Sequence, residues 1–273
     1  MKFTKILAGA LCAAAILGLA AGCGSEEKKP ATAEKTEITV GTTAGDPEKI
    51  LEFVAQEAAK QGLTVKVQVF SDYVTPDQAL ASGDIDLNSM QHGPFLDAFN
   101  EKSGTDLVSI GSTYLAPLRV YSHKIQNIAD LPEGATVGIP NDPSNGGRAL
   151  LLLQKQGLIK IAEGVSATKA TPLDITENKL NLQIIELEAP QLPRSLDDTT
   201  ISVINAGYAS SAGLDSKATL AVEDNTSPYV NIIASRKADK DNPTYQKFVK
   251  IFQSEAVKKY INETCRGDLI PAF

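Results

Sequence analysis

Cysteine and histidine are scarce in this chain, and their scarcity excludes several kinds of site. The 273 residues include three cysteines and two histidines. Cys12 and Cys23 lie in an N-terminal segment with the features of an export signal, so Cys265 alone remains and a disulfide framework is excluded. Cys265 ends a helical pattern and is expected to be a packing residue rather than a nucleophile. His92 and His123 lie far apart without a cysteine or carboxylate cluster at ligand spacing, so no zinc site is predicted.

Positive charge is also in short supply. The chain has 26 lysines and arginines and 33 aspartates and glutamates, which gives a formal charge of -7. Removal of an N-terminal signal takes away Lys2 and Lys5 and no acid, so -7 becomes -9. Nucleic-acid phosphates require a basic face, and such a partner is therefore not expected. The sequence also lacks a nucleophile with its base and a phosphate-binding glycine loop with lysine, so neither an enzyme nor a cofactor is predicted.

The N-terminus has the order of features found in secretory signals. A positive start precedes the apolar run Ile6 to Leu19, which is too short to span a bilayer stably. Leu19-Ala20-Ala21-Gly22-Cys23 resembles the lipobox of bacterial lipoproteins, in which the cysteine receives a diacylglyceryl group. Ala20 departs from that pattern, since leucine is usual there, and an ordinary secretory signal is the alternative. We expect a signal peptide over 1–22 and anchorage to the extracytoplasmic face of the cell membrane through Cys23.

The segment that follows Cys23 is polar, charged and without apolar periodicity. Such a composition is typical of a disordered tether, which we expect over 23–36. About 250 residues remain after the signal, which exceeds the usual size of a single core, so two domains are expected. No second hydrophobic run is long enough to span a membrane.

The periodicity of the remaining chain is that of an α/β protein. Glu37 to Gly41 alternates as a strand, Asp46-Pro47 opens a helix that ends at Gly62, and Thr64 to Phe70 alternates again. This order predicts a βαβ unit with a parallel sheet. Further strands are expected at Leu107 to Thr113, Ala135 to Pro140, Gln183 to Leu187, Ile201 to Ile204 and Val230 to Ser235, and a last amphipathic helix at Thr244 to Tyr260.

Polar segments follow several of these strands, where α/β sheets place their ligands. Asn141 to Arg148 (NDPSNGGR) lies between a strand and a helix, so its polar side chains can cap free amides and its glycines permit close backbone approach. The planar guanidinium of Arg148 can donate two parallel hydrogen bonds to a carboxylate. The alternative is that Arg148 is a surface residue on a capped helix. Tyr73, His92 and Phe95 are expected on loops, where they could line a slot for a thioether or could be core residues.

Two asparagines also stand near strands. Asn205 closes the strand Ile201 to Ile204, and Asn231 follows the Ser-Pro-Tyr-Val segment 227–230. An amide both donates and accepts hydrogen bonds, so it can serve either end of a zwitterion. The alternative is a role in turns, and the local sequence leaves both open.

A resemblance that covers essentially the whole chain extends this interpretation. The sequence is similar to the MetQ/NlpA family of methionine-binding lipoproteins of ABC importers, both in the residues of several segments and in their order along the chain. These segments are Asp72-Tyr73-Val74, Gly83 to Asp86 leading to Gln91-His92, Pro140 to Lys155 (PNDPSNGGRALLLLQK), Glu186 to Asp198 (ELEAPQLPRSLDD), Val203-Ile204-Asn205, and Glu223-Asp224 through Ser227 to Asn231.

The resemblance implies a two-lobe periplasmic binding protein-like fold, type II-like, with the ligand in the cleft between the lobes. Lobe one would comprise 37–121 plus 231–273 and lobe two 122–230. It places Tyr73, Met90, His92 and Phe95 around the ligand side chain, Arg148 on its carboxylate, and Asn205 and Asn231 at its polar end. The sequence departs from better-known members at three points: Met90 replaces Phe, Phe95 replaces Tyr, and Arg119 replaces a small residue.

The expected function is delivery of methionine to an ABC permease that is driven by its ATPase. No catalytic residue, metal or cofactor is assigned. A methionine-containing dipeptide or another small amino acid is the alternative ligand, and a wider or more polar pocket around Met90 and Arg119 would favour it. The alternative of another class is a structural or adhesive surface lipoprotein.

Overall fold

The computed structural model describes residues 35–166, 168–225 and 227–273. The expected signal peptide, Cys23 and nearly all of the tether therefore lie outside the described residues. The strands are β1 Glu37–Thr43, β2 Thr64–Phe70, β3 Leu87–Asn88, β4 Leu107–Leu115, β5 Arg119–Tyr121, β6 Thr136–Pro140, β7 Lys160–Ile161, β8 Ile175–Glu177, β9 Gln183–Leu187, β10 Ile201–Ile204, β11 Ala221–Val222, β12 Val230–Arg236 and β13 Ile270–Pro271. The α-helices are α1 Asp46–Ala59, α2 Thr75–Ser82, α3 Gly93–Ser103, α4 Pro143–Lys155, α5 Leu192–Ser195, α6 Ala206–Ser211, α7 Pro243–Phe252 and α8 Glu255–Cys265.

Lobe one is built around a six-stranded sheet with the order β13-β4-β12-β3-β1-β2. The predicted βαβ unit is confirmed, because β1 and β2 pair in parallel on either side of α1. The apolar face of α1, with Ile50, Leu51 and Val54, packs in a core that also contains Phe248 and Phe252 of α7. Burial of this face stabilises the helix there.

Lobe two is built around a five-stranded sheet with the order β11-β5-β10-β6-β9, and β7 and β8 form a separate pair. Its core is supplied largely by the leucine-rich side of α4 and by the strands β6 and β10. The α/β two-lobe fold is thus the one expected from the sequence. None of the helices in the described part of the chain is long and apolar enough to cross a bilayer.

The chain passes between the two sheets twice, at 116–118 between β4 and β5 and at 223–229 between β11 and β12. The expected lobe boundaries stay a prediction, but strand pairing differs from them at two points. Val230 was expected with lobe two, whereas it pairs with Leu115 of the lobe-one sheet. Arg119–Tyr121 was expected with lobe one, whereas β5 pairs with β10 and β11 of the lobe-two sheet. These two crossings matter for the site, since both contact its arginine.

The single last helix expected over Thr244 to Tyr260 is wrong in its continuity. α7 ends at Phe252, and α8 starts after Ser254, whose hydroxyl accepts a hydrogen bond from the Val257 amide at 3.4 Å. The break allows both helices to turn their apolar sides toward the lobe-one core. Cys265 ends α8 inside that core, and burial raises the pKa of its thiol to about 12, as expected of a packing residue.

Candidate functional site

A cleft between the lobes offers about 450 Å³ of free space, part of which is open to solvent. All seven residues expected around a ligand line it: Tyr73, Met90, His92, Phe95, Arg148, Asn205 and Asn231. They come from the loop after β2, from the segment between β3 and α3, from β12, from the N-terminal halves of α3 and α4, and from the start of α6. The fold therefore brings them together from positions up to 158 residues apart in sequence. Their role in binding stays a prediction.

Arg148 is not the surface arginine that the local sequence also allowed. It lies in the second turn of α4 and is 3 % exposed. Its Nε donates to Glu223 Oε1 at 2.9 Å, and its Nη2 donates to Glu223 Oε2 and to the Ala116 carbonyl. The guanidinium carbon lies 4.5 Å from the centroid of the Tyr229 ring, within the range of a cation–π contact. Three groups of the two crossing segments thus hold one side chain.

These contacts leave the other edge of the guanidinium turned toward the cavity. Among the described residues, none accepts a hydrogen bond from Nη1 of Arg148. A buried charged donor without an acceptor is costly, and a carboxylate in the cavity would satisfy it. The arrangement therefore presents a fixed cationic donor to a ligand.

Asn145 links the two sides of the cavity. Its Oδ1 lies 3.0 Å from His92 Nε2, and it also accepts from Asn205 Nδ2 at 3.0 Å. Its Nδ2 donates to the carboxylate of Asp142, which caps α4 by accepting from the Asn145 amide. Asp142 thus performs the capping expected of this segment. Close approach also occurs there, since a Cβ on Gly146 would lie 2.8 Å from the Pro140 carbonyl oxygen.

The tautomer of His92 follows from its hydrogen bonds. His92 is the N-cap of α3, and its Nδ1 accepts from the Phe95 amide at 3.1 Å. The ring proton must then sit on Nε2, which donates to Asn145. Burial, together with the nearby positive charge of Arg148, lowers the pKa of His92 to about 3, against the hydrogen bond to Asn145. His92 is therefore a neutral donor at physiological pH.

The two asparagines differ in what they leave available. Asn205 starts α6 but its side chain does not cap the helix. Its Nδ2 is used by Asn145, whereas its buried Oδ1 has no hydrogen-bond partner among the described residues. Asn231 donates to the Met90 carbonyl at 3.2 Å. The free Oδ1 of Asn205 is thus the acceptor that a ligand ammonium would need.

Aromatic rings form one wall of the cavity. The Tyr73 ring lies 5.8 Å from that of Phe95 in an edge-on arrangement and 4.7 Å from that of Tyr208. Met90 is buried in the same cluster as Phe95. Phe95 was expected on a loop, but it lies in the first turn of α3, because Gly93 and Pro94 already belong to that helix. This wall can receive an apolar or thioether side chain.

Arg119, the third departure from the family pattern, does not line the cavity. Its buried guanidinium donates to the carbonyls of Gly267 and Asp268 and to the Asp268 carboxylate at 3.0 Å. The dipeptide alternative depended on a wider or more polar pocket around this residue and Met90. Because Arg119 lies outside the cavity, only Met90 remains as a reason to expect a dipeptide ligand.

Several contacts join the lobes at the mouth of the cavity. The Asp46 amide donates to the Ser210 hydroxyl at 3.0 Å, next to the Tyr73–Tyr208 contact. Gly45, which has a φ of 95°, lies so close that an added Cβ would be 2.7 Å from the Gly207 carbonyl oxygen. The lobes thus approach each other with almost no clearance at the N-terminus of α1.

Substitution of Gly45 by alanine is expected to weaken ligand binding by roughly tenfold or more, since the methyl group must push α6 away and so opposes closure. Titration calorimetry with methionine measures the effect. Gly62→Ala is the matched control: Gly62 follows the other end of α1 with a φ of 73°, and nothing lies within 4 Å of its added Cβ. Both variants carry the strain of a positive φ, so equal affinities for the two would contradict a steric block of closure.

Three residues around the site were not assigned from the sequence. Asn145, Glu223 and Tyr229 stand in the strings that carry the family resemblance, but the local sequence gave Glu223 and Tyr229 no role and Asn145 only a possible capping role. The one available signal was the position of Asn145 at the third residue of a capped helix, whose side chain can turn back toward the strand ends. Among the described residues, no group of three histidine, cysteine or acidic side chains could hold a metal ion.

The profile of the NlpA lipoprotein family matches residues 38–273 of the chain. The chain is 48 % identical over 258 residues to a protein of Salmonella typhi named D-methionine-binding lipoprotein MetQ, with 93 % of each chain covered. The protein of the same name from Escherichia coli K12 is 46 % identical over 257 residues, with 92 % of each covered.

Solved structures of related proteins are also similar to this chain. A nutrient binding protein from Burkholderia cenocepacia, solved bound to methionine, superposes with a TM-score of 0.84 at 48 % identity. The match covers 86 % of this chain and all of that one. The similarity thus extends over both lobes and the cavity between them.

Proposed function

The chain belongs to the NlpA lipoprotein family, and we propose from this membership and from the cavity that it binds methionine between its lobes and delivers it to an ABC permease. Relatives at 46 and 48 % identity are named for binding D-methionine, not for catalysis. The observation that carries the proposal is the buried guanidinium of Arg148, with one edge held by Glu223 and the other turned to the cavity.

In the proposed complex, Nη1 of Arg148 binds the carboxylate and Oδ1 of Asn205 accepts from the ammonium, with Asn231 at the same polar end. The thioether lies against Tyr73, Met90 and Phe95. His92 does not bind a charge but holds Asn145, and through it Asn205. The polar groups therefore recognise any zwitterionic amino acid, and the aromatic wall selects its side chain.

Closure of the lobes completes the site. The contacts of Asp46 with Ser210 and of Tyr73 with Tyr208 form only when the lobes meet, so a ligand that bridges them favours the closed form. The closed form is the one proposed to dock on the permease with its ATPase. Names of relatives as lipoproteins support anchorage to the extracytoplasmic face of the membrane, for which Cys23 is the proposed lipid site.

Titration calorimetry tests the ligand after retained cargo has been removed by unfolding and refolding. We expect submillimolar or tighter binding of methionine, in the L or D form, and much weaker binding of alanine, which cannot reach the aromatic wall. A methionine-containing dipeptide that binds far more tightly than methionine would replace the proposed ligand. Absence of any ligand-induced rise in melting temperature, with all of these compounds, would favour the structural lipoprotein instead.

A further inference from the structure

The carboxylate of Glu223 is unusually well held for a residue in a connecting segment. Its side chain is 14 % exposed, and its two oxygens accept from Nε and Nη2 of Arg148. They also accept from the Leu118 amide at 3.1 Å and the Ser227 hydroxyl at 2.9 Å. Four donors for one carboxylate hold it in a fixed position directly behind the guanidinium.

The ion pair of Arg148 and Glu223 determines the charge that surrounds a ligand in the cavity. Of the described residues that line the cavity, Arg148 alone carries a formal charge, because His92 is neutral. Asp142, one step behind Asn145, is compensated by the amide and hydroxyl donors at the N-terminus of α4. Arg148 and Glu223 cancel each other's charge, and the Asp142 carboxylate lies behind Asn145, so the surroundings of the cavity carry no excess of positive charge.

We propose that Glu223 sets the charge selectivity of the site, so that the cavity prefers a zwitterion to an anion of the same shape. A carboxylate alone would make the closed cavity negative, with Glu223 near it and no ammonium to compensate. A zwitterion adds no net charge, and its ammonium meets the free Oδ1 of Asn205. Repulsion between two carboxylates that share one guanidinium corresponds to roughly tenfold or more in affinity. The inference rests on the proposed function, since it assumes an amino-acid ligand.

The probe for the wild-type protein is 2-hydroxy-4-(methylthio)butanoate, in which a hydroxyl replaces the ammonium of methionine and the net charge is -1. Calorimetry at pH 7 is expected to show at least tenfold weaker binding of this acid than of methionine. Equal affinities would overturn the proposal without recourse to any variant. A protein that binds neither compound would contradict the proposed function itself.

Two variants separate charge from shape. Glu223→Gln keeps the size of the side chain and removes its charge, and its ratio of methionine affinity to hydroxy-acid affinity is expected to fall by roughly tenfold. Glu223→Asp keeps the charge on a shorter stem and is expected to retain the wild-type ratio, even though both affinities fall. A residue with a merely structural role would change both affinities equally.

Melting curves establish that each variant is folded before its ratio is interpreted. Methionine binding by the wild type, combined with an unchanged ratio in Glu223→Gln, would overturn the role of Glu223 and leave the proposed function intact. A ratio that falls equally in Glu223→Asp would do the same, since it would follow shape rather than charge.

Discussion

Methionine is expected to bind roughly 100-fold to 1,000-fold more weakly to Arg148→Ala than to the wild-type protein. The substitution removes the one charged donor that faces the cavity and leaves the Glu223 carboxylate buried without its partner. That carboxylate would then repel the carboxylate of the ligand. Titration calorimetry measures the loss, and binding within threefold of the wild type would contradict the proposed role of Arg148.

A second arginine provides the control for nonspecific damage. Arg236 donates to the carbonyls of Leu80 and Ile85 and pairs with Asp239, all outside the cavity. Arg236→Ala is expected to lower the melting temperature but to leave methionine affinity close to that of the wild type. The double substitution Arg148→Met with Glu223→Gln removes both buried charges, and it is expected to recover stability without recovering binding.

Acid is expected to destabilise the ligand-free protein through His92. Burial lowers the pKa of His92 to about 3 in the folded protein, whereas in the unfolded chain it is near 6.5. Between these two pH values the unfolded chain therefore binds a proton at His92 and the folded protein does not. The stability associated with neutral His92 is fully present above pH 6.5 and is lost progressively as the pH falls toward 3. Between pH 7 and pH 4 the loss amounts to about 3 kcal/mol of unfolding free energy.

The effect of His92 must be measured as a difference in unfolding free energy between the wild type and a His92 variant, because Asp77 changes stability with pH in the opposite direction. Burial raises the pKa of Asp77 to about 7, despite hydrogen bonds from Asn88 and Gln91, so its contribution is present below its unfolded pKa and is lost as the pH rises through 7. Urea unfolding of the wild type and of His92→Gln at each pH cancels the effect of Asp77. The variant should gain about 3 kcal/mol relative to the wild type from pH 7 to pH 4.

His123 serves as the reference histidine. Its side chain is half exposed and pairs with Asp197 at the surface. His123→Gln is the control for the removal of an imidazole from the surface, and its unfolding is measured at the same pH values. A stability difference between the wild type and His92→Gln that does not change with pH would show that His92 is not kept neutral by burial.

Much of this protein could be inferred from runs of neighbouring residues. The strands Thr64–Phe70, Gln183–Leu187 and Ile201–Ile204 have the bounds predicted for them, because alternation and flanking turn residues act over a few positions. The capping of α4 by Asp142 is equally local. Position at strand ends also indicated Arg148 and Asn205 as candidates, although the local sequence left an alternative open for each.

Contacts between distant parts of the chain exclude a surface position for Arg148, and the binding roles of Arg148 and Asn205 stay predictions. Arg148 is 75 positions from Glu223, and Asn145 is 53 positions from His92 and 60 from Asn205. Periodicity, composition and capping carry no information about such pairs, because these depend on which crossings and helix ends meet once both cores are packed. The sequence thus determines the α/β elements and the residue types available for binding. The arrangement of the lobes determines that one guanidinium is neutralised on one edge and turned to the cavity on the other.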